Sequence, residues 1–141
     1  AIARSAYMEA MTHLRQGLAL LQTLPETPER TRREVDMLIA LGASLHAATS
    51  PGRPEIKATY TRAQHLCQHL DDPHRLFPVL RGLWNYYLVR AELQTAQTLG
   101  EQLLDCAQQA QNPVMLVAAH RALGTTLDYL GEPSLAPSAI G

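Results

Sequence analysis

The stretch HLCQHLDDPH, residues 65–74, holds the densest set of side chains that could ligate a metal ion. His65 and His69 are four residues apart, so on a helix they share a face and could chelate a divalent cation. Cys67 lies between them in sequence and points to nearly the opposite face. A structural zinc site needs four ligands at defined spacing, whereas this pattern supplies two, with His74 as a further candidate after a turn. We therefore expect no specific metal site and interpret the two histidines as exposed side chains.

Two other pairs have the residue types of acid–base or nucleophilic catalysis. Asp71 and Asp72 are adjacent and precede Pro73, a pattern typical of a helix N-cap. Ser44 and His46 are close in sequence, but no Gly-x-Ser-x-Gly elbow accompanies them. The sequence also contains no Gly-rich phosphate loop that ends in Gly-Lys-Ser/Thr. We predict no catalytic residue, no cofactor and no enzymatic activity.

Composition narrows the class of partner. The chain has 141 residues, a hydrophobic content of 46% and a formal net charge of −1, which fits one compact domain or a short repeat array. The near balance of charges argues against nucleic-acid binding, which needs a clustered basic excess. No apolar stretch approaches the roughly 18–20 residues that span a bilayer, so no membrane partner is expected. The two cysteines, Cys67 and Cys106, are interpreted as buried thiols in a reducing cytoplasm.

Helical spacing of apolar residues runs along the chain, and strand signals are almost absent. Leu14, Leu18 and Leu21 recur at intervals of four and three residues. Between such segments come breaks that join a polar cap to a proline, as in LPETPE, DDPH and QNP. The pattern predicts an all-α fold with helices at about 4–24, 28–48, 54–70, 73–90, 92–111 and 113–130. Pro78 predicts a kink or a late start in the fourth helix, and residues 133–141 are predicted to be an irregular tail.

The helices contain a weak internal repeat. Aligning LIALGASLHA, LRGLWNYYLV and HRALGTTLDYLGE places Leu41, Leu83 and Leu123 in register. The next residues are Gly42, Trp84 and Gly124, and three residues further on stand Leu45, Tyr87 and Leu127. Both repeat spacings exceed the usual length of about 34 residues.

This pattern resembles the tetratricopeptide repeat, in which a Leu-Gly pair is followed by an aromatic residue or Leu and a second helix. The resemblance implies a right-handed array of about three stacked helical hairpins over residues 1–132. Trp84 departs from the pattern because it stands where Gly is expected. We interpret Trp84 and Tyr87 as packing positions rather than a ligand box, and we expect Tyr86 to be partly exposed.

A longer resemblance covers residues 13–132, including HLRQGLALLQTLPETPERTRREVDMLIALGASL and ELQTAQTLGEQLLDCAQQAQNPVMLVAAHRALGTTLDYLGE. These segments are similar to the helical C-terminal region of large bacterial signalling proteins that join a cyclase or a DNA-binding domain to an ATPase. The resemblance implies a cytoplasmic interaction or assembly module that binds a peptide, another domain of its parent protein or a second copy of itself. The alternative is a small-effector sensor that regulates the attached ATPase or cyclase. A fragment cut within such an array would also expose an apolar end face.

The resemblance also implies which residues line the concave face, since they stand two before and two, five and six after each register Leu. Arg81 and Asn85 are one turn apart, and Arg121 and Thr125 repeat that spacing, which resembles half of a carboxylate clamp. The sequence leaves open whether the two arginines bind a partner or are solvated or paired with acids. The implied positions are Ile39, Ala43, His46 and Ala47; Arg81, Asn85, Leu88 and Val89; and Arg121, Thr125, Asp128 and Tyr129.

Overall fold

A computed structural model describes residues 2–131, and within this range all the regular elements are α-helices. The all-α prediction is confirmed. None of these helices is long and apolar enough to cross a membrane. The predicted tail, residues 133–141, lies outside the described residues. The helices are α1 (Ile2–Leu21), α2 (Pro28–Ala48), α3 (Pro54–Cys67), α4 (Pro73–Val89), α5 (Leu93–Ala110) and α6 (Pro113–Leu130).

The helix starts follow from the local sequence. The Thr27 hydroxyl (3.1 Å), the Asp72 carboxylate (3.2 Å) and the Asn112 amide oxygen (3.0 Å) each accept a backbone N–H of the following first turn. A proline stands at the first position of each of these helices, where its missing N–H costs nothing. The fourth helix starts at Pro73, so the late start predicted from Pro78 as one alternative was wrong, and the helix continues through Pro78 to Val89.

Two helices end three residues earlier than predicted. The amides of Thr23 and Leu24 bond carbonyls three residues back, as do those of Gln68, His69 and Leu70. These segments therefore form tighter turns that satisfy the last carbonyls of α1 and α3. The apolar spacing continues through such turns, which is why sequence alone placed the helix ends too late.

The helices form two layers. Each helix packs on its neighbours in sequence, and α2 also contacts α4, as α4 contacts α6. Within the described residues, the backbones of α1, α3 and α5 do not approach one another closely, and α1 and α3 are joined by the Arg15–Glu55 ion pair. The even-numbered helices are therefore closer together than the odd-numbered helices and lie on the tighter side of the stack.

One aromatic ring separates the first two even-numbered helices. Tyr60 of α3 is 6% exposed and lies between Gly42 of α2 and Gly82 of α4. A Cβ atom on either glycine would lie 2.6 Å from ring atom Cε2 of Tyr60. Only glycine lets both helix backbones approach the ring this closely.

A tryptophan of α4 bridges α4 and α6. The Trp84 indole Nε1 donates a hydrogen bond of 2.8 Å to the hydroxyl of Thr126, a fully buried residue of α6. Leu103 of α5 lines the space between these two helices. Trp84 therefore contacts α6 directly, whereas the register glycine of α2, Gly42, leaves room for the Tyr60 ring of α3.

The exposure predicted for Tyr86 was wrong. Tyr86 is 5% exposed and Tyr87 is half-buried, with their rings edge to face at 5.1 Å. Tyr86 follows the buried Leu80 and Leu83 at intervals of three residues, so it continues their buried face of α4.

Candidate functional site

Two grooves open between successive even-numbered helices. The first groove lies between α2 and α4 and has a volume of about 420 Å³. The second groove lies between α4 and α6 and also has a volume of about 420 Å³. Arg81 and Trp84 of α4 line both grooves, so α4 forms the wall that they share.

A polar contact joins the walls of the first groove. The amide Nδ2 of Asn85 on α4 lies 3.1 Å from ring nitrogen Nε2 of His46 on α2. Ile39 and Ala43 line the α2 wall, and Tyr60 lies at the base. The Asn85 amide is therefore already engaged within the protein.

The second groove combines apolar surface with two cations. Trp84 of α4 faces Val114 and Val117 of α6, which are 77% and 69% exposed, and the buried Phe77 lies at the base. The two arginines of this groove, Arg81 on α4 and Arg121 on α6, are on opposite walls. An elongated ligand with both apolar and acidic groups fits such a surface.

Most other arginines of the chain have a partner. Arg75 binds Asp36 through two nitrogen–oxygen contacts of 2.9 and 3.0 Å, and Arg15 contacts Glu55 at 2.6 Å. Among the described residues, the arginines without a hydrogen bond, an ion pair or an aromatic partner are Arg4, Arg81 and Arg121. Two of these three therefore lie in the second groove, where no neighbouring acid neutralises them.

Comparisons of the chain with protein-family models, curated proteins and solved structures found no match. What the grooves bind must therefore be inferred from the residues that line them.

Seven of the twelve concave-face positions named from sequence line a groove. The first groove is lined by Ile39, Ala43, His46, Arg81 and Asn85, and the second by Arg81, Arg121 and Thr125.

The other five positions named from sequence do not line a groove: Ala47, Leu88, Val89, Asp128 and Tyr129. Asp128 is exposed on α6 outside both linings. The prediction that Leu88 binds a partner was wrong, because Leu88 is 8% exposed and unavailable to a surface ligand. The joint between α4 and α5 is only residues 90–92, so the buried Leu93 returns beside the last turn of α4.

Sequence reasoning missed the apolar part of the second groove. Phe77 and Val114 were not singled out, and Trp84 was interpreted only as a packing residue. A usable signal was present, because Val114 and Val117 are one turn apart on a helix whose arginine was already named.

A further cleft of about 440 Å³ contains the histidine pair. The His65 and His69 rings are exposed and lie edge to face at 5.9 Å. Within residues 2–131, no group of three or more His, Cys, Asp or Glu side chains is placed to hold a metal ion. Both cations of this cleft are engaged, since Arg62 contacts the buried Glu34 at 3.2 Å and Arg30 donates a hydrogen bond of 2.8 Å to Gln22. This cleft is therefore a weaker candidate than the second groove.

Both cysteines are buried and free. Burial raises the pKa of each thiol, Cys67 and Cys106, to about 11. The Cys106 thiol donates a hydrogen bond of 3.1 Å to the carbonyl oxygen of Pro73. Because both thiols are protonated at neutral pH, neither has the properties of a nucleophile.

Proposed function

We propose that this chain is a non-catalytic protein–protein interaction module of the tetratricopeptide type that binds a peptide or a partner domain along the two grooves. The observation that carries the proposal is the pair of unpartnered arginines, Arg81 and Arg121, on opposite walls of an apolar groove. Guanidinium groups bind carboxylates through two parallel hydrogen bonds, and Trp and Arg dominate the binding energy of many interfaces. Here both are present on one accessible surface.

The parent protein is proposed from the sequence resemblance. The segments similar to bacterial signalling proteins favour a cytoplasmic scaffold beside an ATPase or a cyclase. Its partner would then be a peptide, another domain of the same protein or a second copy of this chain.

The test of the proposed function uses a defined probe. A panel of fluorescent peptides with alternating acidic and apolar residues is titrated with the chain, and binding is followed by anisotropy. Arg81→Ala and Arg121→Ala should each weaken binding by about 10-fold or more, since a hydrogen bond to a charged group contributes about 1.5–3 kcal/mol.

Arg4→Ala is the matched control, because Arg4 is exposed and lines neither groove. It removes the same charge and should leave the affinity unchanged. Equal losses in all three variants would show only nonspecific charge attraction. Binding that is insensitive to both groove variants would refute the proposed function.

A second candidate function is a small-effector sensor. Each groove, at about 420 Å³, has the size of a small-molecule pocket. Thermal unfolding with a panel of metabolites, in the absence of peptide, tests this candidate. A ligand at about 100 times its Kd should stabilise the fold by about 2.7 kcal/mol, and Arg121→Ala should abolish that shift. Stabilisation by a metabolite without any peptide binding would favour the sensor.

A further inference from the structure

The outer face of α6 is apolar and uncovered in the described structure. Val117, His120, Gly124 and Leu127 are spaced by three and four residues, so they share one helix face. Val117 is 69% and Leu127 is 53% exposed. A Cβ atom on Gly124 would meet no heavy atom within 4 Å. The described residues leave this strip open along most of the helix.

The earlier even-numbered helices show what normally occupies such a face. The next odd-numbered helix packs on each of them, α3 on α2 and α5 on α4. Gly42, which is in register with Gly124, lies directly under the Tyr60 ring of α3. Within the described residues, α6 contacts α4 and α5 but has no helix after it. The missing occupant is therefore a helix of the odd layer.

Among the described helices, α1 is the odd-numbered helix with a free side. Both α3 and α5 pack on the even-numbered helices on either side of them, whereas α1 packs on α2 alone and reaches α3 only through the Arg15–Glu55 ion pair. Ala6, Ala10 and His13 share one face of α1 by their spacing, and Gly17, at the end of that face, lies under the Met37 side chain of α2. Ala6 and His13 are exposed, and Ala10 and Gly17 are half-buried. Small side chains on this face allow the close approach that helix packing requires.

We propose that α1 of a second copy covers the outer face of α6, so that the chains assemble head to tail. The contact continues the alternation of even-numbered and odd-numbered helices that already builds the fold. The helices match in length, with 20 residues in α1 and 18 in α6. Neither face has an acid or a permanently charged side chain at the named positions, so no charge repulsion opposes the contact.

The symmetry of this contact has a measurable consequence. The contact joins two different surfaces, so each added copy presents a new free α6 face. A head-to-tail contact that does not close into a ring gives an open array, whereas a self-complementary contact stops at a dimer. The proposal does not rest on the proposed function, and its test position Gly124 lines neither groove, although Val117 at one end of the α6 face also lines the second groove.

The test blocks each end separately. Gly124→Glu places a charge at the centre of the α6 face and improves helix propensity, so loss of folding is not expected. Ala6→Glu blocks the α1 face. Gln108→Glu adds the same charge at an exposed position of α5 and is the control. Light scattering after size-exclusion chromatography, over a concentration series, measures the mass, and circular dichroism checks the helix content.

The unaltered chain and Gln108→Glu should rise in mass with concentration to more than two copies. Gly124→Glu and Ala6→Glu should each stay at the mass of one chain. A mixture of those two variants should stop at two copies, because each retains one intact end.

Three results would overturn the proposal. The unaltered chain could stay at the mass of one chain at every concentration, or stop at two copies, or assemble equally well with Gly124→Glu. If the unaltered chain stays single while a chain without residues 132–141 assembles, the occupant of the α6 face is this chain's own C-terminal segment, and the proposal is again overturned.

Discussion

The ring of Tyr60 makes two glycines sensitive to the smallest possible side chain. In Gly42→Ala, the new methyl group would lie 2.6 Å and 2.9 Å from ring atoms Cε2 and Cε1. The ring cannot retreat, because Gly82 meets its other side equally closely. Overpacking of this kind costs about 1–3 kcal/mol, and better helix propensity returns about 1 kcal/mol. Because the ring is held on both sides, we expect an overpacking cost in the upper half of that range. The free energy of unfolding should therefore fall by about 1–2 kcal/mol.

Gly124→Ala is the matched comparison. It makes the same chemical change in a helix, but at a position where the methyl group meets no heavy atom within 4 Å. Only the propensity term applies, so this variant should gain about 0.5–1 kcal/mol. The two variants should therefore differ by about 2–3 kcal/mol, or roughly 5–10 °C in Tm for a chain of this length.

Urea unfolding followed by far-ultraviolet circular dichroism measures the difference directly. The atoms that clash with the new methyl group belong to the far end of the Tyr60 ring, which leucine lacks. In a Tyr60→Leu background, Gly42→Ala should therefore lose its cost and become neutral or stabilising. The tight contact of Tyr60 with both glycines would be refuted if Gly42→Ala were as stable as Gly124→Ala. It would also be refuted if Gly42→Ala cost the same free energy of unfolding with Tyr60 and with Leu at position 60.

Three further predictions concern single side chains. Asp72→Asn keeps the N-cap but loses the carboxylate contact of 2.6 Å with the guanidinium of Arg75. This loss should lower the free energy of unfolding by about 0.5–1.5 kcal/mol at pH 7. That guanidinium lowers the pKa of Asp72, so the difference in urea unfolding should persist down to about pH 4 and vanish as the pH falls through the lowered pKa. Trp84→Phe removes the hydrogen bond to Thr126 and should lower the free energy of unfolding by about 1 kcal/mol; an unchanged urea midpoint would contradict this. Cys67 and Cys106, with pKa values of about 11, should react with a thiol reagent at pH 7 only as the chain unfolds, and rapid labelling in the native state would count against their burial.

The number and order of helices could be predicted because the chain marks its own breaks. Thr27, Asp72 and Asn112 each precede a proline and cap the helix that follows. These are local signals, and they act over one turn of helix. Local caps do not determine whether the helices form a right-handed repeat array, because that depends on the angles between helices. The repeat array and the protein family therefore stay predictions.

Packing between helices set the limit of the sequence reasoning. Trp84 stood at the register position of Gly42, but the second glycine against Tyr60 is Gly82. Which of these residues touches the ring depends on how α3 and α4 rotate against each other. The same limit explains Leu88, because a register position does not reveal how tightly the next helix folds back.

The absence of partners for two arginines was likewise beyond the sequence. Arg81 and Arg121 could have paired with acids on other helices, as Arg75 does with Asp36. Only the placement of whole helices decides which acids come within reach. The predicted repeat register puts each of these arginines two residues before a register Leu, and in the structure both line the second groove.

Arg81 lies on the wall between the two grooves, so it affects whether both grooves can hold a ligand at the same time. A guanidinium that holds one carboxylate through two parallel hydrogen bonds has fewer free N–H donors and no unneutralised charge left for a second carboxylate. Two acidic ligands, one in each groove, would compete for that cation. By thermodynamic linkage, each would then weaken the other by the same factor. A single acidic segment lying across α4 would avoid that competition, so the shared wall favours one continuous ligand over two separate ones.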